Sequence, residues 1–308
     1  MKTSLIHFLS TDKLRLPGLL FEPDEVQTKK VVIYLHGCGS SSVFYSPKIN
    51  KLAAAITHLG MAFFPFNNRG AHYAKTLNRI TIKNNVEIVE KELFGTSYEK
   101  IKDSIFDIDG AILFLRSKGF NTFHIIGEST GANKIVVYDY YSKKSPFASY
   151  TLISPGDDTG LYLEKLGKKS FLKIIRQSKD MIEDGHGSDL VPSSVGLDYP
   201  FSYQACYDVL NPDGDYNIFP FNDALNNLKL GHKGLFKEFR KMSRPTHVIL
   251  GSDDEYCYGK AGSCMNLLKK NVDHKEKYYF ELIDGADHGF EHHEQKLVQT
   301  VSRWISQS

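Results

Sequence analysis

Hydrophobic positions follow two periods along most of the chain. Val31-Val32-Ile33-Tyr34-Leu35 is a continuous apolar run with the make-up of a strand covered on both faces, 61–66 and 245–250 follow the buried-strand pattern, and 123–126, 150–154 and 277–282 read as further strands. Between them apolar residues recur at helical steps. Ile49, Leu52, Ala53, Ile56 and Leu59 lie on one face of 47–59, which Gly60 closes. Ile101, Ile105, Ile108, Ile112 and Leu115 do the same across 97–118. Helices are also expected over 132–141 and over 294–306, where Leu297, Val301, Trp304 and Ile305 face the core. Strand and helix alternating from residue 31 onward predict an α/β fold with a mostly parallel, doubly wound sheet. Ahead of it, 4–9 and 16–21 flank the turn Thr11-Asp12-Lys13 and read as an antiparallel hairpin at the sheet edge.

Two stretches depart from this alternation. Residues 71–95 mix charge with weak periodicity and read as an excursion with little regular structure. From Pro155-Gly156-Asp157-Asp158 to about Met242 come basic helices at 161–168 and 170–183, then a Gly/Pro/Asp-punctuated stretch carrying Tyr199, Phe201, Tyr203, Tyr207, Tyr216, Phe219 and Phe221. A structureless loop of that length does not fit inside a compact core, whereas an inserted cap over the strand ends does. The chain therefore divides into a first core part (1–155), a cap (156–242) and a second core part (243–308). The aromatics serve either as the cap's own core or as contacts to a substrate; in the second case they would suit an apolar or aromatic acyl group.

Composition narrows the function classes. The 308 residues are 41% hydrophobic and 24% charged, with a formal net charge of +2 and no block of like charge of the kind that binds nucleic acid or a membrane surface. A small neutral or modestly polar molecule fits this surface better. Cys38, Cys206, Cys257 and Cys264 are scattered, match no zinc spacing and read as free thiols of a reducing compartment. The first ten residues lack the apolar core of a secretory signal, so a cytoplasmic location is expected.

The candidate chemistry centres on His124-Ile125-Ile126-Gly127-Glu128-Ser129-Thr130-Gly131-Ala132, an apolar strand ending in Gly-x-Ser-x-Gly and entering a helix. Gly127 and Gly131 allow the helix to pass close over the strand, and Ser129 then stands exposed at the sheet's carboxyl edge. Serine needs a base and a carboxylate to orient it. His288, in Asp284-Gly285-Ala286-Asp287-His288-Gly289-Phe290 after the last strand, is the base; Asp253 or Asp254, after the strand at 245–250, is the carboxylate. The order Ser…Asp…His along the chain is the one that accompanies this kind of elbow. The backbone N–H groups of Thr130 and of Cys38, or Gly39 in its place, are the oxyanion donors. The loop His36-Gly37-Cys38-Gly39-Ser40-Ser41 has Ser42 where a dinucleotide fingerprint needs its third glycine, and no Walker lysine. A metal cluster at Asp287, His288, Glu291, His292, His293 and Glu294 lacks the His-Glu-x-x-His pattern, so no cofactor or metal is expected. Arg69, in Asn67-Asn68-Arg69-Gly70, reads as half of a structural Arg–carboxylate pair.

Through His36-Gly37, Gly127-Glu128-Ser129-Thr130-Gly131, Gly251-Ser252-Asp253-Asp254-Glu255 and Gly285-Ala286-Asp287-His288 the chain resembles the α/β-hydrolases over nearly all of its length outside the cap. That resemblance implies Asp254 as the acid and Cys38 as the second oxyanion donor. The run from Met181 through Asp189-Leu190-Val191-Pro192 to Asp215, with 106–115, is similar more loosely to the branch that includes fungal siderophore-ester hydrolases. Glu128, where many relatives have histidine or tyrosine, and Cys38 depart from the pattern. The expected activity is that of a carboxylesterase-like serine hydrolase acting on a small-molecule ester, with amide or thioester cleavage in the same mechanism. A prolyl-oligopeptidase-like or aminopeptidase-like enzyme, with Glu128 as the anchor for a free amine, and a non-catalytic binding protein are the alternatives.

Overall fold

The computed structural model describes residues 1–25 and 28–308. The expected edge hairpin is β1 (Lys2–Leu9) and β2 (Arg15–Glu22), paired antiparallel from Lys2 against Glu22 to Leu9 against Arg15. There follow β3 (Lys30–Leu35), α1 (Pro47–His58) and β4 (Ala62–Phe66), each close to its expected range.

The next segment corrects the sequence reading. Instead of an irregular excursion, 71–95 holds β5 (Lys75–Lys83) and β6 (Val86–Phe94), a two-stranded hairpin separate from the main sheet. Its turn is Asn84-Asn85, both at positive φ (52° and 60°), the backbone that a two-residue hairpin loop requires and that asparagine tolerates better than most residues. The strands are mostly exposed, so their side chains carry little of the apolar alternation that marks a half-buried strand.

A short 3-10 turn at Ile101–Asp103 leads into α2 (Ser104–Ser117), which starts later than the apolar periodicity implied because 97–100 are turn and extended backbone. Then come β7 (Thr122–Glu128), α3 (Thr130–Tyr141) and β8 (Phe147–Ile153). The two basic helices expected after β8 are present, run together as α4 (Asp158–Glu183) and divided at Gly167, whose φ of 72° and ψ of 151° leave the helical backbone. The aromatic stretch contains α5 (Tyr203–Leu210) and α6 (Phe221–Asn226), neither of which its punctuated sequence announced. The chain closes with β9 (Thr246–Gly251), α7 (Ala261–Lys270), β10 (Tyr278–Ile283) and α8 (Glu294–Ser306).

The main sheet has eight strands in the order β1-β2-β4-β3-β7-β8-β9-β10. Only β2 runs against its neighbours; β4, β3, β7, β8, β9 and β10 pair in parallel. Alternation along β3 shows why both faces are buried. Val31, Ile33 and Leu35 pack with α2 and α3 residues such as Ile108, Ile112 and Ile135, and Val32 and Tyr34 pack with Leu52 and Ile56 of α1 and Leu297 and Trp304 of α8. The aromatics of the 156–242 segment, Phe201, Tyr203, Tyr216, Phe219 and Phe221, are buried and continuous with the α2–α3 side of that core. Because the strands from β4 to β10 run the same way, their carboxyl ends gather the loops after β3, β7, β8, β9 and β10 at one edge of the sheet.

Candidate active site

At the end of β7 the backbone of Ser129 turns through φ 55°, ψ −127°, a conformation that side-chain-bearing residues rarely adopt, and α3 begins at the next residue. The turn is possible because the residues two before and two after the serine are glycines. A Cβ on Gly127 would lie 2.3 Å from the carbonyl oxygen of Gly131, and one on Gly131 would lie 2.3 Å from that of Leu35. Ser129 N–H donates to Ile153 O at 2.8 Å, tying the elbow to β8.

The loops after β9 and β10 bring a carboxylate and an imidazole to this serine. His288 Nε2 lies 3.0 Å from Ser129 Oγ, and His288 Nδ1 lies 3.0 Å from each carboxylate oxygen of Asp254. Asp254 is 2% exposed and also accepts from Tyr256 N–H, whereas Asp253 is exposed and receives Ser252 Oγ–H. Burial separates the two candidates: Asp254 meets His288 and Asp253 faces solvent. Burial by itself would lower the His288 pKa, but the hydrogen bond and charge of Asp254 outweigh it, and the charges of Glu128 and Glu255 add to them. The net direction is upward from the ordinary histidine value. Glu255 also accepts His288 N–H at 3.0 Å, and Ser154 Oγ–H donates to His288 O.

The loop after β3 lies against the elbow so tightly that a Cβ on Gly37 would sit 2.9 Å from that of Ser129. Gly39 N–H is already committed, donating to Thr96 Oγ1 at 2.8 Å. The N–H groups of Cys38 and Thr130 donate to no protein acceptor among the described residues. Burial pushes the Cys38 thiol up to about 12, with the charge of Asp158 adding to it, so it is a neutral thiol at physiological pH. His36 is structural: its Nε2 accepts Asn68 N–H, and burial holds its pKa well below the ordinary value.

Glu128 is not free to anchor a substrate amine. Its carboxylate accepts from Tyr34 O–H and pairs with the buried Lys48 Nζ, each at 2.5 Å. Arg69 is the structural partner expected of it, donating from its Nε and Nη2 to the fully buried Asp107 and from Nη2 to Asp12. Around the would-be metal cluster, Asp287 Oδ1 accepts Glu291 N–H, and His288 faces Ser129 and Asp254 instead of His292.

Ser129 and His288 open on a cavity of about 600 Å³. Of the aromatics singled out in the sequence only Tyr199 reaches its wall. The wall otherwise includes Tyr162 and Leu161 of α4, Tyr256 and Asp158, none of them singled out from the sequence. The Tyr256 ring stands edge-on to the His288 ring with centroids 4.5 Å apart. The signal that could have found Asp158 and Tyr256 is position: each follows the carboxyl end of a parallel strand, as Ser129, Asp254 and His288 do.

A model of the family DUF1749, described as "Protein of unknown function", matches residues 93–306. The chain belongs to the DUF1749 family. The match takes in the elbow, the 156–242 segment and the loops of Asp254 and His288, and begins after the Cys38 loop. No curated protein matches this DUF1749 chain. Among solved structures it is similar to the siderophore hydrolase EstB of Aspergillus fumigatus, at 13% identity and a TM-score of 0.65 over 98% of this chain and 97% of that one. It is also similar to Est1E of Butyrivibrio proteoclasticus with ferulic acid bound, at 13% identity and 0.62 over 97% of each chain. A third is the α/β-hydrolase GrgF of Penicillium sp. sh18, at 15% and 0.58 over 98% and 97%. At these identities the likeness is one of fold, and the fold is that of the α/β-hydrolases.

Proposed function

We propose that this DUF1749 protein is a serine hydrolase that cleaves a carboxylic ester through an acyl-enzyme on Ser129. The observation that carries the reading is the unbroken relay from Asp254 through His288 to Ser129, each link 3.0 Å, at an elbow whose backbone is otherwise unfavourable for serine. Ser129 Oγ attacks the ester carbonyl while His288 Nε2 takes its proton. The tetrahedral oxyanion is held by the N–H groups of Cys38 and Thr130, at the positive end of α3. His288 then returns the proton to the leaving alcohol, and water attacks the acyl-enzyme by the same route in reverse. Asp254 keeps Nδ1 protonated and the ring in place. Residues 156–242 act as the cap, supplying Tyr162, Leu161 and Tyr199 to the wall above the serine. The commitment of Glu128 to Lys48 and Tyr34 argues against its use as an aminopeptidase anchor.

Release of p-nitrophenol from short-chain p-nitrophenyl esters, by the wild type and by Ser129→Ala and His288→Ala, tests the reading. Turnover by the wild type with loss of at least about a thousandfold in each variant is expected, since members of such a relay act as a unit. An inactive wild type whose Ser129 reacts with a fluorophosphonate keeps the site and changes the substrate. An inactive wild type that the probe does not label sinks the hydrolase and favours a binding protein.

A further inference from the structure

Asp158, the first residue of α4, forms part of the wall of the cavity that holds Ser129 and His288. Its Oδ2 is buried and has no hydrogen-bond partner among the described residues. The other acids on the wall are accounted for. Glu128 pairs with Lys48, Asp198 with Lys165, and Glu164 is exposed to solvent. The wall thus carries four carboxylates, Glu128, Asp158, Glu164 and Asp198, against one lysine, Lys165, and that lysine is already paired. Tyr162, Tyr199 and Tyr256 line the same space, and aromatic rings attract a cation placed over them.

Burial pushes the Asp158 carboxyl up to about 6, with the charge of His288, a hydrogen bond from its own backbone and the charge of Lys134 pulling the other way, so its ionised form is held at a cost in desolvation. The first turn of α4 favours that charge without neutralising it. A desolvated carboxylate with an unfilled acceptor site is costly unless a charged donor meets it.

We propose that Asp158 and the tyrosines around it form a subsite for a primary ammonium group, so that the ester cleaved at Ser129 carries a free amine. This rests on the hydrolase reading for the word ester and on the wall of the cavity for the amine. A carboxylate and several aromatic rings satisfy an ammonium ion together, the first as hydrogen-bond acceptor and the second by cation–π attraction. A purely structural role for Asp158, as an acid in the first turn of α4, makes no demand on the ligand.

The test compares n-pentylammonium with 1-pentanol, which match in length and differ in charge. Each is scored by the concentration that protects Ser129 from a fluorophosphonate and that raises the thermal unfolding midpoint. Protection by the ammonium at a concentration at least about tenfold below that of the alcohol is expected in the wild type, the scale of one hydrogen bond to a charged group. The preference should vanish in Asp158→Asn and Asp158→Ser and persist in Asp158→Glu. Equal protection by the two compounds in the wild type, or a preference that survives in Asp158→Asn, overturns the subsite. Should both neutral variants be unfolded, carbodiimide coupling of pentylammonium to the wild type, mapped by mass spectrometry, decides. Attachment at Asp158 supports the subsite and attachment only at other carboxylates overturns it. Hydrolysis of p-nitrophenyl acetate in the same samples separates the two readings. Turnover without ammonium preference removes the subsite and leaves the hydrolase; a midpoint raised by the ammonium alone, with neither turnover nor fluorophosphonate labelling, does the reverse.

Discussion

In the proposed mechanism His288 acts as a base only when its imidazole is neutral, so the direction of its pKa becomes a pH profile. Burial works to lower that pKa and the carboxylate of Asp254 overrides it, with Glu128 and Glu255 helping by charge alone. Because the net shift is upward, activity is lost as pH falls through a value above the ordinary 6.5, and the acid limb of kcat/KM should lie there. Removing a carboxylate moves the limb to lower pH. In Glu255→Gln the shift should be roughly a few tenths of a unit, because Glu255 is exposed and well screened. In Glu128→Gln it should be larger, since Glu128 is more buried than Glu255 and its charge on His288 is less screened. Limbs that stay in place in both variants would show that neither glutamate sets the value. At this scale Ser129 and His288 were legible in the sequence because glycines and loop position mark them. Asp254 could be separated from Asp253 only by burial, a property of the folded chain, or by the resemblance to the α/β-hydrolases. Asp158 was written only as part of a break in the strand–helix pattern, and nothing local distinguishes it from a solvated turn residue.

The elbow and the α2 junction show what holds the site at the scale of elements. With a methyl group on Gly131 aimed at Leu35 O, α3 must lift from β3. Gly131→Ala should therefore cost about 1–3 kcal/mol of stability, the usual range for overpacking, and abolish activity beyond that loss because Thr130 N–H moves with the helix. Chemical denaturation read beside turnover checks both. A second tie is the pairing of Arg69, after β4, with Asp107 of α2, both nearly without solvent exposure. Asp107→Ala leaves that guanidinium with only Asp12 and the more distant Asp103, and a loss of about 3–5 kcal/mol is expected in the same denaturation experiment. β3, β4, β7, β8 and β9 were readable because burial on both faces favours apolar runs, and β10, partly exposed, through its Tyr278-Tyr279-Phe280. The β5–β6 hairpin was not, because its half-exposed strands mix charged, polar and apolar residues without a strict two-residue alternation, and its Asn84-Asn85 turn carries no glycine. Helices α5 and α6 escaped because they are short and sit among prolines and glycines, so their order comes from the core they pack on.

For the whole molecule the question is whether the proposed cap, residues 156–242, is a separate folding unit. Its polar ties cross to the hydrolase core: Asp208 of α5 accepts Ile101 N–H at 2.7 Å, Ser202 N–H donates to Ser97 O, and Tyr141 O–H at the end of α3 donates to Asp215. Burial pushes the Asp208 carboxyl up to about 7, with Ile101 N–H pulling the other way. Phe219 and Phe221 stack with centroids 6.1 Å apart, Phe219 meets Phe239, and Phe239 meets Tyr278 of β10, so the apolar contacts run from cap to sheet without a gap. A cap with its own core would unfold apart from the sheet and give two transitions. A shared core couples them, and calorimetry should show one, with the calorimetric and van't Hoff enthalpies equal. Phe219→Ala then destabilises the whole molecule by about 3–5 kcal/mol, and the loss should register equally by fluorescence and by loss of Ser129 labelling. If labelling survives to a higher temperature than the tyrosine signal of the cap, the cap is an independent layer, and the wall it lends to the cavity is movable.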